Sequence, residues 1–392
     1  MNITLTNTKE QVELIKAMAS KDRNVAYEAQ AAAAELIGPV LSEVINNAPS
    51  LSNMFSSFSF NEDDNPSIPL DLYHDINDTD YIEIYTQNVP GGLPSNNIAP
   101  SHSELKFTTY RLETALDFDR KYAARSRLDV VSKTFSRLAQ ELMLKQESTS
   151  ANLLLGVLAV AKTNSSSANH VIKSTNEDQF LLHDVNRLIT HAKRINTAWN
   201  QGTPLTQNRG VTDLLISPEV MGEIRAMAYN PINTRGLETT SSVNIPSGTD
   251  TSGGTTTVSN PGAGVIPATE QMRNALYQNA GASELYGLAL TELNELGKGQ
   301  RFNNVFKSVL ASGNNLGHGG DFSESNDELI IGIDKTRESL MRAVATDSDT
   351  GAELRLMADD QYSVRQSKIG YYGAIEEGRM ILDARVLTGI VV

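Results

Sequence analysis

The side chains able to do chemistry are few and scattered. Six histidines occur: His74, His102, His170, His183, His191 and His318. Two histidines that share a metal from one helix need i, i+4 spacing, and His183 and His191 stand eight residues apart. Surface or capping positions are therefore expected for them. Leu296-Gly297-Lys298-Gly299-Gln300 sets a lysine between glycines. It lacks the GxxxxGK[ST] spacing through which backbone amides wrap a phosphate, so a turn at a strand end is expected. Ser252-Gly253-Gly254 has linker composition rather than the GxSxG of a nucleophile elbow. Glu62-Asp63-Asp64 lacks the spaced ligands and mid-loop glycine of a calcium loop. The chain has no cysteine, which excludes disulfides, thiolate nucleophiles and thiolate metal sites. No clustered acid, base and nucleophile emerges, so neither an enzyme nor a metal or cofactor site is expected.

What remains is docking by charge. Between Arg23 and Lys106 there is no lysine or arginine, and that window holds twelve acids. Residues 106–145 then carry nine bases and five acids. Such blocks of opposite sign either stay solvated or dock on each other, within or between subunits. The candidate interface residues are Asp71, Asp75, Asp78, Asp80 and Glu83 on the acidic side. On the basic side they are Lys106, Arg125, Arg127, Lys133 and Arg137, with Gly91 and Gly92 in the turn between. The formal net charge of −14 makes the whole chain a poor nonspecific ligand for phosphate backbones. It can still enclose nucleic acid without gripping it.

The elements that must position these charges follow from periodicity. Thr8 and Gln11 read as a capping box before Val12, Ile15 and Met18. An alanine-rich helix runs on to Gly38, and Pro39 opens a further short helix through Val44 and Ile45. Pro, Asn, Ser and Asp dominate residues 49–80, whose apolar side chains must lie either across the chain's own body or on a neighbour. Tyr81 to Tyr85 alternates, Val89-Pro90-Gly91-Gly92-Leu93-Pro94 turns, and a return limb alternates through Leu105, Phe107, Leu112, Leu116 and Phe118. An extended β-loop is expected there. Leu128, Val131, Phe135, Leu138 and Leu142 are spaced three-four along a helix that runs without proline from about 124 to 161.

The middle third reads as a separate α/β unit. Leu181, Val185, Leu188, Ala192, Ile195 and Trp199 line a helix, Leu214-Leu215-Ile216 is a buried strand, and Ser217-Pro218-Glu219 starts a helix. Residues 238–264 are rich in Gly, Ser and Thr and form a loop, after which a helix begins near Thr269. Strands follow at 285–291 and 328–333, and the tail returns to β through Met380, Leu382, Ala384 and Val386. At 392 residues, 40% of them hydrophobic, the chain can build two or three cores. Its amino-terminal stretch has no signal-type apolar core, and the longest apolar run, Leu153–Ala161, is too short to span a bilayer. No membrane association is expected.

This order resembles the tailed-phage major capsid proteins of the Hong Kong 97 type. The resemblance is carried by TDLLISPEVMGEIRAM (212–227), LYGLALTELNELGKGQRFNNVF (285–306), DELIIGIDK (327–335) and RQSKIGYYGAIEEGRMILDARVLTGIVV (365–392). In the last of these, Arg365, Gly378, Asp383 and Arg385 stand in characteristic places. It implies an α+β, Hong Kong 97-like capsid fold with an N-terminal arm (1–80), an extended loop (81–118), a peripheral domain (119–180 and 345–392) and an axial domain (181–344). It further implies hexamers and pentamers of an icosahedral shell, assembled in the host cytoplasm and found in the virion around packaged DNA. A portal and a decoration protein are the implied partners. The only lysine in the implied loop is Lys106, so a covalent Lys–Asn cross-link is not expected. The chain starts at Met1 without a long coiled coil, so a separate scaffolding protein is expected. Encapsulin-type nanocompartment shells share this fold and are the first alternative. A flagellin-like filament protein is the second, although it would need helical heptads at both termini.

Overall fold

The computed structural model describes residues 8–46, 48, 50–61, 63–69, 104–125, 128–163, 168–195, 210–229, 284–337, 339–346, 353–359 and 367–392. Two helices lead, α1 (Lys9–Met18) and α2 (Arg23–Asn46). Strands β1 (Ser56–Asn61), β2 (Ser67–Pro69), β3 (Glu104–Lys106) and β4 (Tyr110–Asp119) precede a short helix α3 (Arg120–Ala124) and the long α4 (Leu128–Val160). Next come β5 (Lys162–Thr163), β6 (Ala168–Asn169), β7 (Val171–Lys173), α5 (Leu182–Ile195), β8 (Asp213–Ile216) and α6 (Pro218–Tyr229). The chain continues through β9 (Glu284–Leu285), β10 (Leu288–Glu292), α7 (Arg301–Val309) and β11 (Leu329–Ile333). It closes with β12 (Leu340–Thr346), β13 (Arg355–Asp359), β14 (Lys368–Ile381) and β15 (Leu387–Val391). The fold is α+β. It divides into two compact units, Met1–Leu154 with Glu338–Asp383 and Leu155–Arg337 with Ala384–Val392.

In the first unit, β14 is the axis of a five-stranded sheet. It pairs antiparallel with β4 over ten residues, from Lys368↔Asp119 to Glu377↔Tyr110. Its other partners are β12 and β13, and β1 adds to β12 in parallel. Helices α1, α2 and α4 supply apolar stripes to this sheet. Ile15, Met18, Ala33, Ile37 and Leu41 join Val131, Phe135, Leu138 and Leu142 in one core with Ile369 and Tyr371. Phe135 meets the Tyr371 ring edge-on at 5.2 Å, and Phe118 stacks on it at 6.3 Å. Residues 9–46 cross their own body, and of the apolar side chains in 49–80, Leu51, Met54 and Phe55 are buried in the same unit.

Among the described residues the helices α1, α2 and α4 form where periodicity placed helices, with four differences. Residues 49–80 contain the strands β1 and β2, which periodicity did not show, and the tail expected as β through Leu382, Ala384 and Val386 leaves β14 at Ile381 for a short 3-10 turn at Ala384–Val386. Residues 81–85 and 89–94 lie outside the described residues. Helix α1 is capped as expected, Gln11 N–H donating to Thr8 Oγ1 at 3.4 Å. Pro39, however, lies inside α2 and opens no second helix. Both Pro39 and Glu35, whose carbonyl loses its helical partner, are exposed, so the lost bond is not a buried one. The return limb expected through Phe118 is divided. β3 pairs antiparallel with β2, and β4 belongs to the body sheet. Its alternating burial fits one covered face, which β14 and the helices behind it provide.

The second unit holds a six-stranded mixed sheet of order β7-β15-β11-β8-β10-β9. The central strands β8, β11 and β15 are buried at every position. Leu214, Ile216, Ile330 and Ile390 share a core with Val185, Leu188 and Ala192 of α5 and Val220, Met221 and Ile224 of α6. Residues 345–392 were expected to close one domain. Instead β13 and β14 stay in the first unit, and β15 is paired between β11 and β7 in the second. Leu387, Ile390 and Val391 need cover on both faces, and the middle of this sheet supplies it. Trp199, the loop 238–264 and the helix expected near Thr269 lie outside the described residues.

Candidate functional site

The expected interface residues divide in two. Asp71, Asp75, Asp78, Asp80, Glu83, Gly91, Gly92 and Arg127 lie outside the described residues. Lys106 ends β3 and Arg125 caps the C-terminus of α3, both exposed. Lys133 and Arg137 are exposed one turn apart on α4, on the face opposite Val131, Phe135 and Leu138. Lys145 and the half-exposed Leu144 extend that face. No ion pair joins Lys133 or Arg137 to another described residue. The antiparallel pair Ser67↔Lys106 to Pro69↔Glu104 holds the two ends of the intervening segment side by side.

Sequence reasoning missed the main polar feature, a buried charge network in the first unit. Glu377 of β14 is fully buried and is shared by two arginines. Arg342 Nε reaches its Oε2 at 2.8 Å, while Arg379 donates from Nη2 at 3.1 Å to Oε2 and from Nε at 3.2 Å to Oε1. Gln146 of α4 donates at 3.1 Å and the Tyr110 hydroxyl at 2.8 Å to the same carboxylate. Arg379 continues to the Ser52 carbonyl at 3.1 Å, Ser52 Oγ at 2.7 Å and Ser150 Oγ at 2.6 Å, and lies over the Phe55 ring. Arg342 also donates to Asn46 Oδ1 at 3.3 Å, and Asn46 in turn donates to Glu353 at 3.0 Å. Glu147 accepts the amides of Leu51 and Ser52 at 3.0 and 3.2 Å.

The electrostatics follow from burial. Desolvation alone would push the Glu377 carboxyl up, but Arg379 and Arg342 outweigh it and hold the group below its usual range. The Tyr110 phenol is raised by burial and by the adjacent Glu377 charge. The network fastens Asn46, Leu51 and Ser52 to α4 and the sheet. A signal for it was present: Glu377 and Arg379 stand two apart, on one face of a strand. Gln146 and Ser150 stand four apart, interrupting the apolar seam between Leu142 and Leu154. Gly378 between the charged pair is confined as well, because a Cβ there would stand 3.0 Å from the Thr108 carbonyl oxygen.

His74 and His102 lie outside the described residues, and the described histidines do not gather into a site. His170 is buried and its Nδ1 lies 3.0 Å from the carbonyls of Ala384 and Leu387. Ser174 Oγ meets His318 Nε2 at 2.8 Å, but its proton goes to the Asn176 carbonyl at 2.5 Å. The imidazole therefore donates to the hydroxyl, the reverse of the polarity that activates a nucleophile. Lys298 lies in the expected turn and pairs with Asp178. Among the described residues no three His, Asp or Glu side chains are placed to hold a metal ion, and no helix is long and apolar enough to cross a membrane.

No protein-family model matches the chain, and no curated protein matches it. Several solved shell structures are similar to it. The capsid of an empty GTA particle has 12% identity and a TM-score of 0.47 over 88% of this chain and 89% of that one. The capsid of Cyanophage P-SCSP1u has 11% identity and a TM-score of 0.46 over 86% of each chain. The holo-SrpI encapsulin complex of Synechococcus elongatus PCC 7942 has 10% identity and a TM-score of 0.37 over 74% of this chain and 75% of that one. Identities and TM-scores this low carry no function from those particles to this chain.

Proposed function

We propose that the chain is a structural subunit that assembles with copies of itself into a closed shell, as the major capsid protein of a tailed phage with a Hong Kong 97-like fold. Two observations carry this reading: the β2–β3 pair, which brings Pro69 and Glu104 together, and the exposed basic residues of the 33-residue helix α4. The segment between those strands holds Asp71, Asp75, Asp78, Asp80 and Glu83, while α4 presents Lys133, Arg137 and Lys145 to solvent. A neighbouring copy brings the two charges together, and copies related by rotation bury the same pair around a closed ring. The parts then take the roles of an arm over 1–80, a loop that ends before β4, a peripheral domain built on β4, α4, β12, β13 and β14, and an axial domain built on β8, β10, β11 and β15.

On this reading the shell is built of hexamers and pentamers, assembles with a separate scaffolding protein, portal and decoration protein, and encloses double-stranded DNA in the virion. Long-range attraction between exposed charges speeds encounter and is screened by salt. Lys133→Glu with Arg137→Glu therefore reduces the assembled fraction in sedimentation velocity at low salt while leaving the subunit folded. Normal assembly of that double variant would remove the clasp. The contents of wild-type particles test the rest: nucleic acid supports a virus, and a protein cargo with no nucleic acid overturns it in favour of a nanocompartment.

A further inference from the structure

Glu328, at the entry to β11, is 4% exposed in the second unit. Its carboxylate bonds to the Ser217 hydroxyl. That hydroxyl also caps α6, accepting the Val220 amide at 3.1 Å. Ser217 has one proton to give, so an ionised Glu328 depends on it for its hydrogen bond. The surrounding charges are mostly of the same sign. Glu219 and Glu223 come from the first two turns of α6, and Asp178 comes from the turn after β7. Lys298 is the one nearby base on the described elements, and it is paired with Asp178. Glu223 is held in place by the Phe180 amide at 2.7 Å. On the far side, β15 brings no titratable side chain, and the Glu328 backbone exchanges hydrogen bonds with Val392 at 2.9 and 2.8 Å.

We infer that Glu328, Ser217 and the α6 acids Glu219 and Glu223 form a proton-operated brace between β11 and the N-terminus of α6, closed when Glu328 is neutral and loosened when it ionises. A neutral Glu328 adds no charge to the acidic group and leaves the cap intact. An ionised Glu328 repels Glu219 and Glu223 across the start of α6, and the single bond from Ser217 is its one compensation there. Burial, then Glu219, raises this carboxyl from 4.5 to about 7, with Lys298 opposing. For a carboxyl raised in the folded state the sign is fixed. The brace is complete at low pH, and the penalty grows as pH rises through the ordinary carboxylate range and is full above about 7. The inference stands apart from the shell reading, because it concerns one folded subunit.

The test is amide hydrogen exchange of the full-length chain between pH 5.5 and 8.5, corrected for intrinsic exchange. Protection of the first turns of α6 and of β11 falls with rising pH, by at most on the order of a hundredfold. The first unit serves as the internal reference. Glu328→Gln removes the dependence and keeps high protection at pH 8.5. Glu219→Gln, which leaves Glu328 in place, moves the midpoint to lower pH. Equal pH dependence in wild type and both variants overturns the inference. If Glu328→Gln does not fold, an unmoved midpoint in Glu219→Gln is sufficient to overturn it.

Discussion

Replacing Glu377 by glutamine tests the buried network with a magnitude. The substitution keeps the size of the side chain and removes the one charge shared by Arg342 and Arg379, whose side chains are 5% and 1% exposed. Both guanidinium groups are then desolvated without that counter-ion, and breaking a buried pair in this way costs ~3–5 kcal/mol. In a unit of this size, that lowers its melting temperature by roughly 10 °C. The chain has two compact units, so a single global melt is ambiguous. Urea unfolding followed by hydrogen exchange in β14 and in residues 51–55 isolates the first unit. The triple replacement Glu377→Leu, Arg342→Met and Arg379→Met removes the desolvation cost along with the charges and recovers most of the loss. The pH dependence has its own sign. Glu377 is held below its usual range, so its contribution is present above about 4.5 and is lost as pH falls through the depressed value. Wild type therefore loses more stability in acid than Glu377→Gln. A loss below ~1 kcal/mol, with no change in the exchange of residues 51–55, would refute the network as the fastening of that segment.

Other consequences are separable. Phe135→Ala empties a site against Tyr371 and Leu138 and costs ~3–5 kcal/mol, read as unfolding of the first unit at lower urea. Ser217→Ala removes the α6 cap and costs about 1 kcal/mol, seen as faster exchange at Val220 and Met221. Lys133→Glu with Arg137→Glu changes the stability of the isolated subunit by no more than ~0.5 kcal/mol, because both side chains are exposed, so any assembly defect it shows is not a folding defect.

The legible parts of the fold were those written in local periodicity. The seam through Val131, Phe135, Leu138 and Leu142 is the buried face of α4, the Leu181-to-Ile195 pattern is α5, and Ser217-Pro218-Glu219 starts α6 with its hydroxyl as cap. What periodicity cannot show is which sheet a strand joins. The alternation of Tyr110–Asp119 fits a projecting ribbon as well as a body strand, and ten registered partners on β14 decide it. The same holds for β15, whose partners Val171 and Leu329 are remote in sequence. Pro39 misled for a different reason. Proline breaks a helix most severely where its lost hydrogen bond is buried, and here that face looks to solvent. The Glu377 network escaped because its members come from six separate stretches, and only the Glu377–Arg379 and Gln146–Ser150 spacings hinted at it.

The central claim is that the chain closes a shell from copies of itself. Negative-stain electron microscopy of the full chain, expressed alone and together with its neighbouring genes, tests it most directly. The account predicts closed icosahedral shells or sheets of hexameric rings. A folded subunit that remains monomeric under every condition, with no rings or shells in the field, would contradict it.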